Sequence, residues 1–238
     1  MRAQDRIFVA LDTPDPARAV ELAEHLSGMV GGFKIGLEAF VACGPSIIDT
    51  LRGHGHAIFL DLKFHDIPNT VAGAAAAAAK TGAGFFTVHA LGGAEMIRRA
   101  VEASTAALPG SSPRPVVLAV TILTSHDDAS LSAIGIDGPA AKAVPRLAAL
   151  AREAGAGGVV CSPLEVAAAR RAFPEGVLVV PGIRMSGQGG RDDQARVATP
   201  GATVRAGADR IVVGRPITEA ADPAAAAEAI ADDILLHA

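Results

Sequence analysis

The chain has 238 residues, of which 50% are apolar and 19% charged, and its formal net charge is −4. This composition excludes a disordered chain and argues against a basic nucleic-acid-binding face, though not against a local basic pocket, and no apolar run reaches the roughly 18 residues that a membrane helix needs. There is no Trp or Tyr to stack bases, and Cys43 and Cys161 stand far apart outside any C-x-x-C pattern. With no signal-peptide pattern at the N-terminus, the expectation is a reduced, cytoplasmic protein that binds neither nucleic acid nor membrane.

Short β-branched apolar runs alternate with longer Ala/Leu-rich stretches. The first run is Arg6–Asp12 (RIFVALD). Pro14 then opens a helix expected to reach about Met29, with Asp12, Thr13 or Asp15 as its cap. Ala19, Val20, Ala23 and Leu26 recur at the spacings of three and four that mark a helical face. Further strands are predicted at Phe33–Leu37, Ala57–Lys63, Phe85–Ala90, Val116–Leu123, Gly158–Cys161, Val177–Ile183 and Arg210–Gly214. Helical stretches follow each, the last at about Pro223–Leu236, and glycines such as Gly82, Gly155 and Gly207 punctuate the helix ends.

Eight β-then-α units predict a single-domain (β/α)8 barrel covering residues 1–238, with strands apolar on both faces because both are buried. An open doubly wound sheet would place a glycine-rich dinucleotide loop after its first strand. Here that strand runs into LDTPDP, which counts against a nicotinamide cofactor.

In such a barrel chemistry gathers at the C-terminal ends of the strands. Asp12 ends the first strand, Lys34 lies on the second, and Asp61 and Lys63 end the third, followed by His65 and Asp66. His89 ends the fourth strand; Thr121, Thr124 and Ser125 end the fifth. Asp61 and Lys63 are two apart, so their side chains should share a side, within reach of Lys34 and then Asp12. Opposite charges near an apolar core must neutralise one another, so a Lys–Asp–Lys–Asp network is expected. It would hold a lysine charged and oriented to donate a proton to a developing carbanion. Ion pairs that merely close the barrel mouth use the same residue types, but four charges on three successive strands favour chemistry.

The remaining histidines and cysteines read more plainly. His54 and His56 are expected in a surface loop on the stability face; His25, His126 and His237 at solvent or caps. Cys43 and Cys161 are expected to be buried small apolar residues. His65 and His89 with Asp61 and Asp66 could ligate a metal, but Lys63 beside them would repel a cation, and no metal is expected. In the last quarter, Pro181, Gly182 and Arg184 end the seventh strand, and Gly214 and Arg215 end the eighth. Loops after these two strands commonly bind phosphate. The Gly214 and Arg215 amides and the Arg215 guanidinium suit a phosphate dianion, with Gln194 as a further donor and Gly187–Gly190 as a candidate lid.

FLDLKFHDIPNTV (Phe59–Val71) resembles the signature of the orotidine 5′-phosphate decarboxylase family. VALD, FKIG, TVHA, LTS, PGIR, DDQ, TP and VVGRPI follow in that family's order across nearly the whole chain. The resemblance implies decarboxylation of orotidine 5′-phosphate to UMP, with no metal or cofactor, in de novo pyrimidine synthesis. It implies that Lys63 protonates C6, Asp61 faces the substrate carboxylate, and Lys34 and Asp12 complete the network and touch the ribose. Thr124 would contact the pyrimidine, and Pro181, Arg184, Gln194, Gly214 and Arg215 the phosphate end. Asp66, Ile67 and Thr70 would reach the active site of a partner subunit in a homodimer. Val180 stands where many members carry Thr, a change a strand interior tolerates.

A related resemblance is to the Mg²⁺-dependent 3-keto-gulonate 6-phosphate decarboxylase and hexulose phosphate synthase group, which shares D-x-K-x-x-D. That group carries an acidic metal-holding residue on strand two, where this chain has Lys34. A third reading is a non-catalytic module that binds phosphoribosyl ligands.

Overall fold

Phe8 lies in register with Gly32 on one side and Val212 on the other, and this double pairing closes the sheet into a barrel. The computed structural model describes residues 1–185 and 197–237. Its strands are β1 (Ile7–Ala10), β2 (Gly32–Ile35), β3 (Ile58–Phe64), β4 (Phe85–His89), β5 (Val116–Val120), β6 (Gly158–Val160), β7 (Val177–Val180) and β8 (Arg210–Val213). All neighbouring pairs are parallel, in the order β1 to β8. The predicted (β/α)8 barrel is therefore the observed one.

The helices surround the sheet. They are α1 (Pro16–His25), α2 (Leu37–Cys43), α3 (Ser46–Gly53), α4 (Pro68–Lys80), α5 (Gly93–Ala106), α6 (Asp128–Ala133), α7 (Ala140–Glu153), α8 (Val166–Ala172), α9 (Pro200–Arg205), α10 (Arg215–Thr218) and α11 (Pro223–His237). The first helix starts at Pro16 rather than Pro14, because Asp15 is its cap and accepts a hydrogen bond from the Ala17 amide at 2.9 Å. It ends at His25 rather than Met29, where Leu26 leaves helical geometry and Gly28 turns the chain at φ 76°. Apart from β3, which has its predicted length shifted by one residue, the observed strands are shorter than predicted. In these shorter strands the last predicted residues lie beyond the ladder at the barrel mouth, where side chains can serve a site, whereas Lys63 lies within β3.

Two apolar layers follow from strand alternation. One packs between sheet and helices, with Ile7, Val9, Phe33, Ile35, Leu60 and Phe86 among its buried residues. The other fills the barrel, with Phe8, Ala10, Phe59, Leu118, Val120, Val160, Val179 and Val212. Phe8, Phe59 and Phe85 meet edge to face, with centroids 5.6 to 6.3 Å apart, the geometry favoured by ring quadrupoles. Gly32 makes room for them: a Cβ there would lie 2.6 Å from the Phe8 ring. Above the rings Ala10 is small, and the barrel opens into a cavity.

His56, expected in a surface loop, is half-buried and edge-on to Phe33, with centroids 4.9 Å apart. Burial and the neighbouring His54 push its pKa down, which favours the neutral ring that apolar packing needs. His54 remains exposed and lies 3.0 Å from Glu24. Among the described residues no helix is long and apolar enough to cross a membrane.

Candidate active site

The register carries the charged residues to one wall of the cavity. Ala10 pairs with Lys34, and Lys34 with Phe59, so the next inward positions on β1 and β3 bring Asp12 and Asp61 to either side of the Lys34 ammonium. Lys34 Nζ lies 2.9 Å from Asp12 Oδ1 and 3.9 Å from Asp61 Oδ2, and Lys63 Nζ lies 2.8 Å from the same Asp61 oxygen. Lys34 and Asp61 are only 8% and 9% exposed, so each ion depends on its neighbours to offset lost hydration. Gly36 faces this pair. A Cβ there would stand 2.6 Å from Asp12 Oδ1 and 2.7 Å from Lys34 Nζ.

Lys63 reaches Asp61 by a route different from simple alternation. Between Leu60 and Phe64 on β3, β4 advances only from Phe86 to Val88, so β3 bulges by two residues. Lys63 sits in this bulge with φ 51°, the one non-glycine residue at positive φ among those described. Its amide, displaced from the ladder, donates to Thr87 Oγ1 at 2.8 Å. The Thr87 hydroxyl in turn donates to Asp61 Oδ1 at 3.0 Å. Thr87 is fully buried.

The cavity has a volume of about 540 Å³. Asp12, Lys34, Asp61, Lys63, Thr124, Ser125, Pro181, Gly182, Arg184, Gly214 and Arg215 all line it, so it brings together eleven of the strand-end residues singled out from the sequence. Phe59, Val120, Ile122, Val160 and Val212 supply its apolar wall. Arg215 opens the short helix α10 directly after Gly214, and the Arg184 guanidinium donates to the Ile183 carbonyl at 2.8 Å. Gln194 and the candidate lid Gly187–Gly190 lie outside the described residues.

Asp66, Ile67 and Thr70 do not line this cavity. They are exposed on the β3–α4 loop and the first turn of α4, with Ile67 67% accessible, and Asp66 accepts from the Ile67 amide at 2.7 Å. Thr121 also stays out: it is fully buried and donates to the Val160 carbonyl. His65 and His89 stack at 5.2 Å. Burial, with His65, Lys63 and His126 nearby, lowers the pKa of His89 to about 4. Among the described residues no three His, Cys, Asp or Glu side chains group as a metal site.

In the sequence Thr87 stands out only as part of TVHA, and nothing there places it at the site. Its signal was a hydroxyl at an inward position among the Phe and Val residues that precede His89 on β4, FFTVH. Glu38 and Glu219 also line the cavity unanticipated; both follow strand ends by several residues, where alternation no longer fixes direction.

This geometry agrees with comparison to known proteins. Residues 5–230 match the family described as orotidine 5′-phosphate decarboxylase / HUMPS. The orotidine 5′-phosphate decarboxylase of Anaeromyxobacter dehalogenans is 56% identical over 97% of this chain and 99% of its own length. That of Halorhodospira halophila is 52% identical over 96% and 95%. The crystal structure of orotidine 5′-phosphate decarboxylase from Lactobacillus acidophilus superposes with a TM-score of 0.84 at 41% identity, covering 96% of this chain and 98% of that one. With an identity above one half sustained along almost the entire barrel, and with the charged wall at its mouth, the chain belongs to the orotidine 5′-phosphate decarboxylase / HUMPS family.

Proposed function

We propose that this protein decarboxylates orotidine 5′-phosphate to UMP and CO2 in pyrimidine biosynthesis, with Lys63 as the proton donor. The observation that carries this reading is the Lys63 ammonium held 2.8 Å from Asp61 on the cavity wall, with its side chain 31% exposed. Loss of CO2 leaves an electron pair in the plane of the pyrimidine at C6, where the ring cannot delocalise it. A fixed cation facing C6 stabilises that pair, and its N–H then becomes the new C6–H bond. Lys63 is left neutral and regains its proton from solvent.

The four wall residues sum to zero charge. A substrate carboxylate facing Asp61 adds one negative charge; as neutral CO2 leaves, that charge stays at C6, moves away from Asp61 toward Lys63, and is neutralised by the proton Lys63 gives. Lys34 and Asp12 hold Asp61 and Lys63 in place and are assigned to the ribose. Thr124 is assigned to the pyrimidine; Arg184, Pro181, Gly214, Arg215 and Gln194 to the phosphate. Binding the phosphate far from C6 lets the substrate's remote part help assemble the charged wall. Asp66, Ile67 and Thr70 are assigned to the site of a second copy; their exposure outside their own cavity supports this.

The test is loss of the orotate ultraviolet band when enzyme meets orotidine 5′-phosphate in excess chelator. Sustained turnover is expected. Activity lost to chelator and restored by Mg²⁺ would move the protein to the Mg²⁺-dependent branch. Lys34 argues against that branch, because its ammonium already stands between Asp12 and Asp61. Binding of UMP without turnover would instead indicate a silent phosphoribosyl-binding module.

A further inference from the structure

We infer that Thr87 is a positioning residue for the decarboxylation, the group that sets Lys63 and Asp61 relative to each other. The inference rests on the proposed function of the same site. A threonine hydroxyl has one hydrogen to give, and here its direction is fixed. Oγ1 accepts from the Lys63 amide at 2.8 Å, so its hydrogen points at Asp61 Oδ1, 3.0 Å away. The other Asp61 oxygen faces Lys63 Nζ at 2.8 Å. Backbone and ammonium of Lys63 are thus joined in one ring through Thr87 and Asp61.

The ring addresses a specific local problem. The β3 bulge takes the Lys63 amide out of the ladder and leaves Lys63 at φ 51°, a conformation that L side chains adopt at a cost. A part-buried amide with no acceptor would favour a different backbone. The Thr87 hydroxyl is the acceptor that retains the bulge and so aims Nζ into the cavity. It also fixes the plane of the Asp61 carboxylate, which Lys34 alone, at 3.9 Å, does not define. Thr87 does not line the cavity, so its influence passes through Lys63 and Asp61.

Thr87→Val keeps the β-branched shape and removes the hydroxyl; Thr87→Ser keeps the hydroxyl. The expected result is a fall in kcat of about 10- to 100-fold for Thr87→Val, the loss expected when a hydrogen bond to a charged group is removed. KM and UMP affinity should stay within about threefold, and Thr87→Ser should recover most of kcat. If Thr87→Val does not fold, Thr87→Ala is compared with Thr87→Ser by the same readings. Wild-type kcat in the hydroxyl-free variant, or equal losses for Ser and Val, overturns the inference. Wild-type protein without turnover would instead overturn the functional reading on which it rests.

Discussion

Lys63 and Asp61 form a 2.8 Å ion pair across a two-residue bulge, so the contact depends on a break in the sheet rather than on its regularity. Lys63→Ala should reduce turnover at least about a thousandfold, since it removes both the acid and the charge facing C6. UMP should still bind, because Arg215, Gly214 and Pro181 lie elsewhere on the cavity wall. Single-turnover kinetics and calorimetry with UMP check the two halves; a rate near that of the wild type would remove Lys63 from its role.

Arg215 should act on the phosphate alone. Arg215→Ala is expected to weaken UMP about 10- to 100-fold and uridine hardly at all, as for a lost charge-assisted hydrogen bond. Titrating both ligands against both proteins gives the comparison, and parallel losses would contradict a phosphate site here.

Gly36 gives a test of the wall without touching a charge. Gly36→Ala places a methyl 2.6 Å from Asp12 Oδ1 and 2.7 Å from Lys34 Nζ, and one of them must move. Activity should fall about 10- to 100-fold with little change in thermal midpoint. Unaltered kinetics would show that the Asp12–Lys34 contact is dispensable.

Shared sites can be tested by complementation. Lys63→Ala and Asp66→Asn chains should each be nearly inactive. Unfolded and refolded together, they form hybrid dimers in which one site has neither change. About a quarter of wild-type activity is expected from an equal mixture that pairs at random. An inactive mixture, with dimers verified by sedimentation, would place Asp66 in its own subunit's chemistry.

His89 makes stability pH-dependent. Its folded pKa, about 4, lies below the ordinary 6.5, so between these values the unfolded chain binds more protons. The contribution is complete above pH 6.5 and falls as pH drops toward 4, by up to roughly 3 kcal/mol. Urea midpoints of wild type and His89→Gln between pH 7 and 4 should converge on acidification. Parallel curves would mean that His89 titrates normally in the folded protein.

The barrel was legible because its strands are apolar runs bounded by turns, and buried parallel strands need little else. Asp12, Lys34, Asp61 and Lys63 were legible because three neighbouring strands end in charges. The bulge was not. LDLKF reads as an ordinary alternating strand, and the two extra residues exist only relative to β4. Thr87 was hidden for the same reason: a buried hydroxyl on a strand has many ordinary partners, and only the displaced Lys63 amide makes it particular. His56 looked like surface because two glycines precede it closely, at Gly53 and Gly55. The Phe33 ring, brought there by β2, covers it.

The edge-to-face rings of Phe8, Phe59 and Phe85 stop the barrel beneath the charged wall. The cavity is therefore a cul-de-sac. In the proposed reaction, substrate, CO2, nucleotide product and the water that recharges Lys63 would all pass the doorway above these rings, which among the described residues close the cavity from below. Traffic through that doorway, rather than the bond-breaking step alone, becomes a candidate ceiling on turnover.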